Sequence, residues 1–127
     1  MKITFEKPKK IVAQYEGHSV ITDLTKDLGG ENLALNPFQL FLTSLGSCGA
    51  LFMRLFYENH NIDIEGASLN QDFEFDNSGN LKKVIIKVKA GKQFPMDKKE
   101  GLIAMMKSCK VKKHVSPSIE FEYIVEQ

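Results

Sequence analysis

The chain has 127 residues, 43% of them hydrophobic and 26% charged, which predicts a single soluble globular domain over 1–127 without a second full domain. Its 17 basic and 16 acidic residues leave a formal net charge of +1. Nucleic-acid binding is not expected, because a phosphate-binding surface normally needs a clear basic excess with several arginines, and Arg54 is the single arginine.

The N-terminus and the cysteines indicate the cellular compartment and the kind of site. The first ten residues lack the apolar stretch of a secretory signal peptide, so we expect a cytoplasmic protein. In a reducing compartment, Cys48 and Cys109 are better explained as buried or reactive thiols than as a structural disulfide. The three histidines are isolated in sequence and neither cysteine belongs to a Cys-x-x-Cys pair, so no metal and no cofactor are expected.

The first 22 residues have the alternating pattern of β-strands. Ile3 and Phe5 alternate with polar residues, and two further apolar segments at 11–15 and 20–22 flank Gly17. This pattern predicts an antiparallel meander of three strands. The following segment has no sustained period and contains two adjacent glycines, so residues 23–36 are predicted to form a connecting loop.

A long helix is predicted over residues 37–58. Asn36 is a suitable N-cap, and Pro37 has the backbone angle that a first helical turn requires. Apolar side chains occur on nearly every side of this helix, so we expect it to be surrounded. Gly46 and Gly49 lie near its middle, where they favour close packing of another element, and a partner helix in a homodimer is the natural candidate.

The same segment must be weighed as a membrane span, since residues 32–53 carry no charge. Several polar residues interrupt the run, however, and Arg54 follows it directly. A span of about 20 residues of hydrocarbon tolerates such features poorly, so no membrane interaction is expected.

The second half predicts a hairpin, a helix and a last strand. Residues 67–76 and 83–89 alternate between apolar and polar types on either side of a turn at 77–80. Asp97 and Glu100 have the spacing of a capping box, and the apolar positions that follow place Cys109 at the end of a helical face. Pro117 opens a final alternating strand. The lysine-rich stretch 110–113 is interpreted as solvated surface.

Two motifs in this chain resemble motifs of the OsmC/Ohr family. The opening of that family's cysteine helix is similar to Gly29-Gly30-Glu31-Asn32 and to NPFQLFLTSLGSC at 36–48, and its second motif is similar to Ser108-Cys109-Lys110-Val111. The predicted order of strands and helices also agrees over essentially the whole chain. The resemblance implies an α+β fold in which antiparallel sheets wrap around a long buried cysteine helix and two chains intertwine as a homodimer.

The resemblance also implies a chemistry. Peroxidases of the family reduce organic hydroperoxides with thiol reductants in oxidative stress defence, and by position the peroxidatic role falls on Cys48 and the resolving role on Cys109. Attack of a thiolate on a peroxide gives a sulfenic acid, with which a neighbouring thiol condenses. The alternative is a non-catalytic dimeric module on the same fold that binds a small apolar ligand or senses oxidants. Separated thiols sealed in packing would favour this alternative.

The sequence departs from the family's peroxidases in the groups that activate the first cysteine. Those proteins supply a carboxylate early in the cysteine helix, where this chain has Phe38 and Gln39, and an arginine from the N-terminal strands, which is absent from residues 1–53. The pKa of the Cys48 thiol is therefore expected to be less depressed, so that its reaction rate still rises above neutral pH. Candidates to replace the missing groups are Lys9, Lys10, His18, Glu31 and His114.

Overall fold

The computed structural model describes all residues from Met1 to Gln127 and has the α+β fold that the sequence predicts. Two three-stranded sheets and two α-helices make up the chain. The chain divides into two compact units, Met1–Thr43 and Ser44–Gln127. Short 3-10 turns occur at Lys26–Leu28, Met96–Lys98 and Lys112–His114.

The first unit contains the predicted meander. Strands β1 (Lys2–Glu6), β2 (Lys10–Tyr15) and β3 (His18–Thr22) pair antiparallel in that order, with Ile3 opposite Ala13. No hydrophobic side chain of this unit is buried. Its exposed large apolar residues are Met1, Ile3, Phe5, Tyr15, Val20, Ile21, Leu28, Leu33, Leu35 and Phe38. Six of these residues belong to or flank the three strands, so the sheet presents an exposed apolar surface.

The loop after β3 is organised by a buried carboxylate. Asp23, which is 2% exposed, accepts backbone hydrogen bonds from Leu24, Glu31 and Leu33 at 2.8, 3.1 and 3.2 Å. Burial raises the pKa of Asp23, but these three donors bring it below the usual carboxyl value, so the group is charged at neutral pH. A Cβ on Gly30 would lie 2.0 Å from the carbonyl oxygen of Leu24, so only glycine allows this close return of the loop.

Helix α1 (Pro37–Asn59) matches the predicted helix to within one residue. The Oδ1 atom of Asn36 accepts a hydrogen bond from the Gln39 N–H at 2.8 Å, and the Oε1 atom of Gln39 accepts one from the Asn36 N–H at 2.9 Å. This reciprocal pair is a capping box. It also occupies the side chain of Gln39, one of the two residues at the position of the family's carboxylate.

The second unit contains a mixed sheet. Strands β4 (Ser68–Phe75) and β5 (Leu81–Lys89) form the predicted antiparallel hairpin, and β6 (Glu120–Glu126) pairs with β5. The expectation of wholly antiparallel sheets is wrong here, because β5 and β6 run parallel. Parallel neighbours need a crossover connection, and the segment between them, which contains the second helix, returns the chain to the starting end of β5.

Helix α2 (Lys99–Lys107) begins differently from its prediction. The capping box expected at Asp97 and Glu100 is wrong, because Asp97 belongs to the preceding 3-10 turn and the N-cap residue, Lys98, makes no side-chain cap. The predicted apolar face is present, since Leu102 and Met106 are fully buried and Cys109 is buried just beyond the helix.

The small residues of α1 face elements of the same chain. A Cβ on Gly49 would contact Met106 at 3.8 Å and Ile86 at 4.0 Å, and one on Gly46 would approach the side chain of Gln71 at 3.1 Å. The inference that these glycines mark the contact with a partner helix is therefore wrong. They admit the sheet and α2 close to the backbone of α1.

Only part of the α1 surface is covered within this chain. Its buried residues are Leu45, Gly49, Met53, Phe56 and Tyr57, whereas Leu51 is 56% exposed. By length and composition alone α1 is apolar enough to cross a membrane, but a core helix of a soluble protein meets the same criterion. Burial of the helix on all sides stays a prediction that would require a second chain.

Candidate functional site

The fold brings the two cysteines into contact. Cys48 lies in the middle of α1 and is half-buried, whereas Cys109 follows α2 and is 3% exposed. Both thiols are free, and the two side chains are hydrogen-bonded to each other. The packing of α2 against α1 thus places two sulfurs, distant in sequence, side by side.

The turn after α2 holds both sulfurs through its backbone. The N–H groups of Lys110 and Val111 donate hydrogen bonds to Cys48, and the N–H of Lys112 donates one to the sulfur of Cys109 at 3.3 Å. Backbone hydrogen bonds within the turn keep these groups in place, among them the one from Lys113 N–H to the Cys109 carbonyl at 3.3 Å. Three consecutive N–H groups therefore converge on the thiol pair.

These contacts shift the acidity of the two thiols in opposite directions. Burial raises the pKa of Cys48, but the hydrogen bonds from Cys109 and from the two backbone amides bring it below the usual thiol value. Burial raises the pKa of Cys109, and the hydrogen bond with Cys48 raises it further. Cys48 is therefore the more acidic of the two thiols.

Two lysines and two aromatic rings flank the thiol pair. The ammonium group of Lys112 lies 4.9 Å from the ring centre of Phe121 and 5.4 Å from that of Tyr123, and Lys107 lies 5.8 Å from the Tyr123 ring. Burial, with a smaller effect of the two cysteines, raises the pKa of Tyr123 to about 12. The interpretation of the whole stretch 110–113 as solvated surface is therefore wrong, since Lys112 packs over aromatic side chains of β6.

The predicted substitutes for the activating groups make other contacts. His114 bonds through its Nδ1 atom to the carbonyl of Lys110 at 2.8 Å. Arg54, which is not one of these candidates because its spacing from Cys48 directs it to another side of the helix, pairs with Glu58 on the exposed side of α1 at 2.5 Å. Neither contributes to the pKa of Cys48. The other candidates belong to the unit Met1–Thr43, where Lys10 pairs with Glu6 and where Lys9, His18 and Glu31 also lie.

Sequence reasoning missed the backbone groups of Lys110 and Val111. Amide N–H groups are common to almost all residue types, so no side-chain pattern marks them. The nearest available signal is the position of Cys109 at the end of a helix, where the chain turns and its amide groups leave the regular hydrogen-bond pattern.

The His, Cys, Asp and Glu side chains form no group of three or more that could hold a metal ion.

We expect Val111→Pro to make Cys48 less reactive. Val111 has φ −62° and ψ −46°, which proline also adopts, so the change removes one N–H donor with little change in the preferred φ of this residue. A hydrogen bond to a charged group contributes about 1.5–3 kcal/mol, so alkylation of Cys48 by iodoacetamide at pH 7 should slow by about tenfold, with a pH profile displaced upward. Val111→Ala, which keeps the N–H, is the control, and equal rates in both variants would contradict the amide's role.

The family model described as OsmC-like protein matches residues 29–124. No curated protein matches the chain in sequence.

Solved structures show the same fold at low sequence identity. A Psychrobacter arcticus protein named for osmotic stress induction and detoxification response is 22% identical, with a TM-score of 0.82 and coverage of 98% of this chain and 93% of its own. The OsmC organic hydroperoxide resistance protein of Legionella pneumophila is 18% identical, with a TM-score of 0.66 and coverage of 99% and 94%. OhrB of Bacillus subtilis is 17% identical, with a TM-score of 0.63 and coverage of 98% and 95%.

The matched segment contains both cysteines, the helices that position them and almost all of the second sheet. The resemblance seen in the two cysteine motifs is thereby confirmed, and the chain belongs to the OsmC-like protein family.

Proposed function

We propose that this protein is a thiol-dependent peroxidase that reduces organic hydroperoxides, with Cys48 as the peroxidatic and Cys109 as the resolving cysteine. The observation that carries the proposal is the hydrogen-bonded thiol pair, in which the pKa of the half-buried Cys48 is lowered and that of the buried Cys109 is raised. A peroxidase of this kind needs one reactive thiolate and a second thiol within bonding distance of it.

The reaction would proceed in two oxidative steps. The Cys48 thiolate attacks the terminal oxygen of the hydroperoxide, an S–O bond forms and the O–O bond breaks, so that Cys48 becomes a sulfenic acid and the alkoxide leaves and takes up a proton to give the alcohol. The sulfur of Cys109 then attacks the sulfur of Cys48, which forms the disulfide and releases water. A thiol reductant returns both cysteines to the reduced state by exchange.

The alternative, a non-catalytic module that binds a small molecule or senses oxidants, is less well supported. It would be favoured by thiols that are separated and sealed by packing. Instead, the two sulfurs share a hydrogen bond and Cys48 keeps partial access to solvent. Their contact therefore supports a catalytic pair.

The proposal includes a cytoplasmic homodimer. The unit Met1–Thr43 has no buried hydrophobic side chain and carries a mostly apolar groove of about 410 Å³. The groove is lined by Met1, Ile11, Ala13, Tyr15, Glu16, His18, Val20, Thr22 and Leu40. A second copy of the chain is the occupant that we propose for this apolar surface, together with the exposed side of α1 around Leu51.

Reaction of the reduced protein with cumene hydroperoxide tests the function. We expect a disulfide between Cys48 and Cys109, identified by mass spectrometry of the unreduced digest, and slower reaction with hydrogen peroxide by about tenfold or more. The difference arises because each buried methylene of an organic substrate contributes about 0.8 kcal/mol. Since the pKa of Cys48 is lowered, the rate should rise with pH and level off below the pH at which an ordinary thiol ionises.

Slow and equal alkylation of both cysteines, together with no oxidation by either peroxide, would contradict the peroxidase proposal. That result would favour the binding module.

A further inference from the structure

The segment that carries Cys109 is rich in positive charge. Residues 101–119 contain no aspartate or glutamate but include four lysines, which are Lys107, Lys110, Lys112 and Lys113. None of these four ammonium groups forms an ion pair, although two lysines of the neighbouring sheet do. A cluster of positive charge without a counter-ion therefore lies next to the thiol pair.

The carboxylates of β6 do not compensate this charge. Glu120 and Glu122 both pair with Lys83 of β5, the first at 3.6 Å. Successive side chains of a strand point to opposite faces of its sheet, so these two glutamates lie on the face opposite to Phe121 and Tyr123. The aromatic face of β6 therefore has no negative charge of its own.

Two of the lysines, Lys107 and Lys112, pack on this aromatic face and are called the lysine pair. The ammonium group of Lys112 lies 4.9 Å from the ring centre of Phe121 and 5.4 Å from that of Tyr123, and the ammonium group of Lys107 lies 5.8 Å from the Tyr123 ring. A ring face attracts a cation but does not neutralise it. Burial and the charge of Lys107 both lower the pKa of Lys112. Binding of an anion would relieve this repulsion.

The lysine pair lies beside the two sulfurs. The backbone N–H of Lys112 donates a hydrogen bond to the sulfur of Cys109 at 3.3 Å, so the side chain of Lys112 begins in contact with that thiol. Burial is the main cause of the raised pKa of Tyr123, and the charges of both cysteines contribute to it, because the ring is close to the thiols. A molecule that reacts at Cys48 can therefore extend a second group toward the lysine pair.

Given the peroxidase function proposed for the thiol pair, we propose that Lys107 and Lys112 bind the carboxylate of a compound that reacts there. An ammonium group that is desolvated against aromatic rings attracts an anion more strongly than one surrounded by water. Two kinds of compound react at these sulfurs, the hydroperoxide and the thiol reductant, and either can carry a carboxylate. The lysine pair then selects the carboxylate form over its neutral amide or ester.

Alkylation of Cys48 tests the carboxylate site without any oxidation step. Iodoacetate carries a carboxylate, and iodoacetamide is its neutral amide. We would measure the ratio of the iodoacetate rate to the iodoacetamide rate at Cys48 by mass spectrometry of the digest, and the same ratio for the neutral thiol dithiothreitol. The ratio at Cys48 should exceed that of dithiothreitol by about tenfold. A change in the ionisation of Cys48 alters both rates equally and cancels in the ratio.

Three variants separate the lysine pair from a general effect of positive charge. Lys107→Met and Lys112→Met keep an unbranched apolar side chain and remove the ammonium group, so each should lower the ratio by about fivefold. Lys113→Met removes the same charge at an exposed position next to Lys112 and should keep the ratio of the unchanged protein. An unchanged ratio in Lys107→Met and Lys112→Met, or an equal fall in Lys113→Met, would overturn the proposal.

Two further pairs of compounds distinguish which reactant supplies the carboxylate. Oxidation of Cys48 by cumene hydroperoxide with a para-carboxylate is compared with oxidation by the methyl ester of that compound. Reduction of the oxidised protein by mercaptoacetate is compared with reduction by mercaptoacetamide. In the pair that uses the site, the preference for the carboxylate should fall by about fivefold in Lys112→Met.

A fall in neither pair would overturn the proposal, because the bound carboxylate would then belong to no reactant. Failure of both hydroperoxides to oxidise Cys48 in the unchanged protein would instead refute the peroxidase function. The alkylation ratio still decides the carboxylate site in that case, since it depends on no oxidant.

Discussion

Cys48→Ser is expected to reduce hydroperoxide turnover to the rate of the uncatalysed reaction. A serine hydroxyl does not ionise at neutral pH, and the hydrogen bonds from the turn and from Cys109 cannot compensate for this. The measurement is consumption of cumene hydroperoxide in the presence of excess dithiothreitol. Ser47→Ala, one position earlier on the exposed side of α1, is the matched control and should keep the activity.

Cys109→Ser should give a different product from Cys48→Ser. Cys48 can still be oxidised, but no second thiol lies beside it to condense with the sulfenic acid. We expect a single oxidation event that stops at sulfenic acid or proceeds to sulfinic acid, and intact mass spectrometry separates the two. Turnover retained in Cys48→Ser would show that Cys48 is not the peroxidatic cysteine. The same oxidation products with and without the Cys109 thiol would show that Cys109 is not the resolving cysteine.

Leu51→Asp is expected to dissociate the proposed homodimer. Leu51 is 56% exposed on α1, so in a monomer the added carboxylate would remain in water and change stability little. In a dimer interface formed by α1, the same charge would be buried without a partner, which typically destabilises by about 3–5 kcal/mol. Sedimentation velocity at micromolar concentration would show the loss of dimer, and unfolding of the unchanged protein would depend on protein concentration.

Leu51→Met, which keeps an apolar side chain of similar volume, is the control and should remain dimeric. A folded monomer of the unchanged protein at micromolar concentration would refute the homodimer. A charge at Gly49 does not test assembly, because that position contacts Met106 and Ile86 in the core of the same chain and the substitution would unfold it.

Local patterns were sufficient for most elements of the fold. Alternation in the first 22 residues predicted the meander of β1, β2 and β3, and Asn36 with Pro37 predicted the start of α1. These elements follow from short-range chemistry, since side-chain alternation and capping act between residues a few positions apart. The family resemblance was also available from sequence, because the two motifs around Cys48 and Cys109 are contiguous segments.

The tertiary structure alone decided how the reactive pair is built. The parallel pairing of β6 with β5 depends on the crossover segment that contains α2, and the glycines of α1 admit Gln71 and Met106 of the same chain, not a partner helix. The pKa of Cys48 is lowered by a hydrogen bond with Cys109 and by the amides of Lys110 and Val111. By itself, then, the sequence determined the family, because the surroundings of the two cysteines form recognisable motifs. Long-range packing decided which groups surround them, because backbone N–H donors are common to nearly all residues and act only where the fold places them.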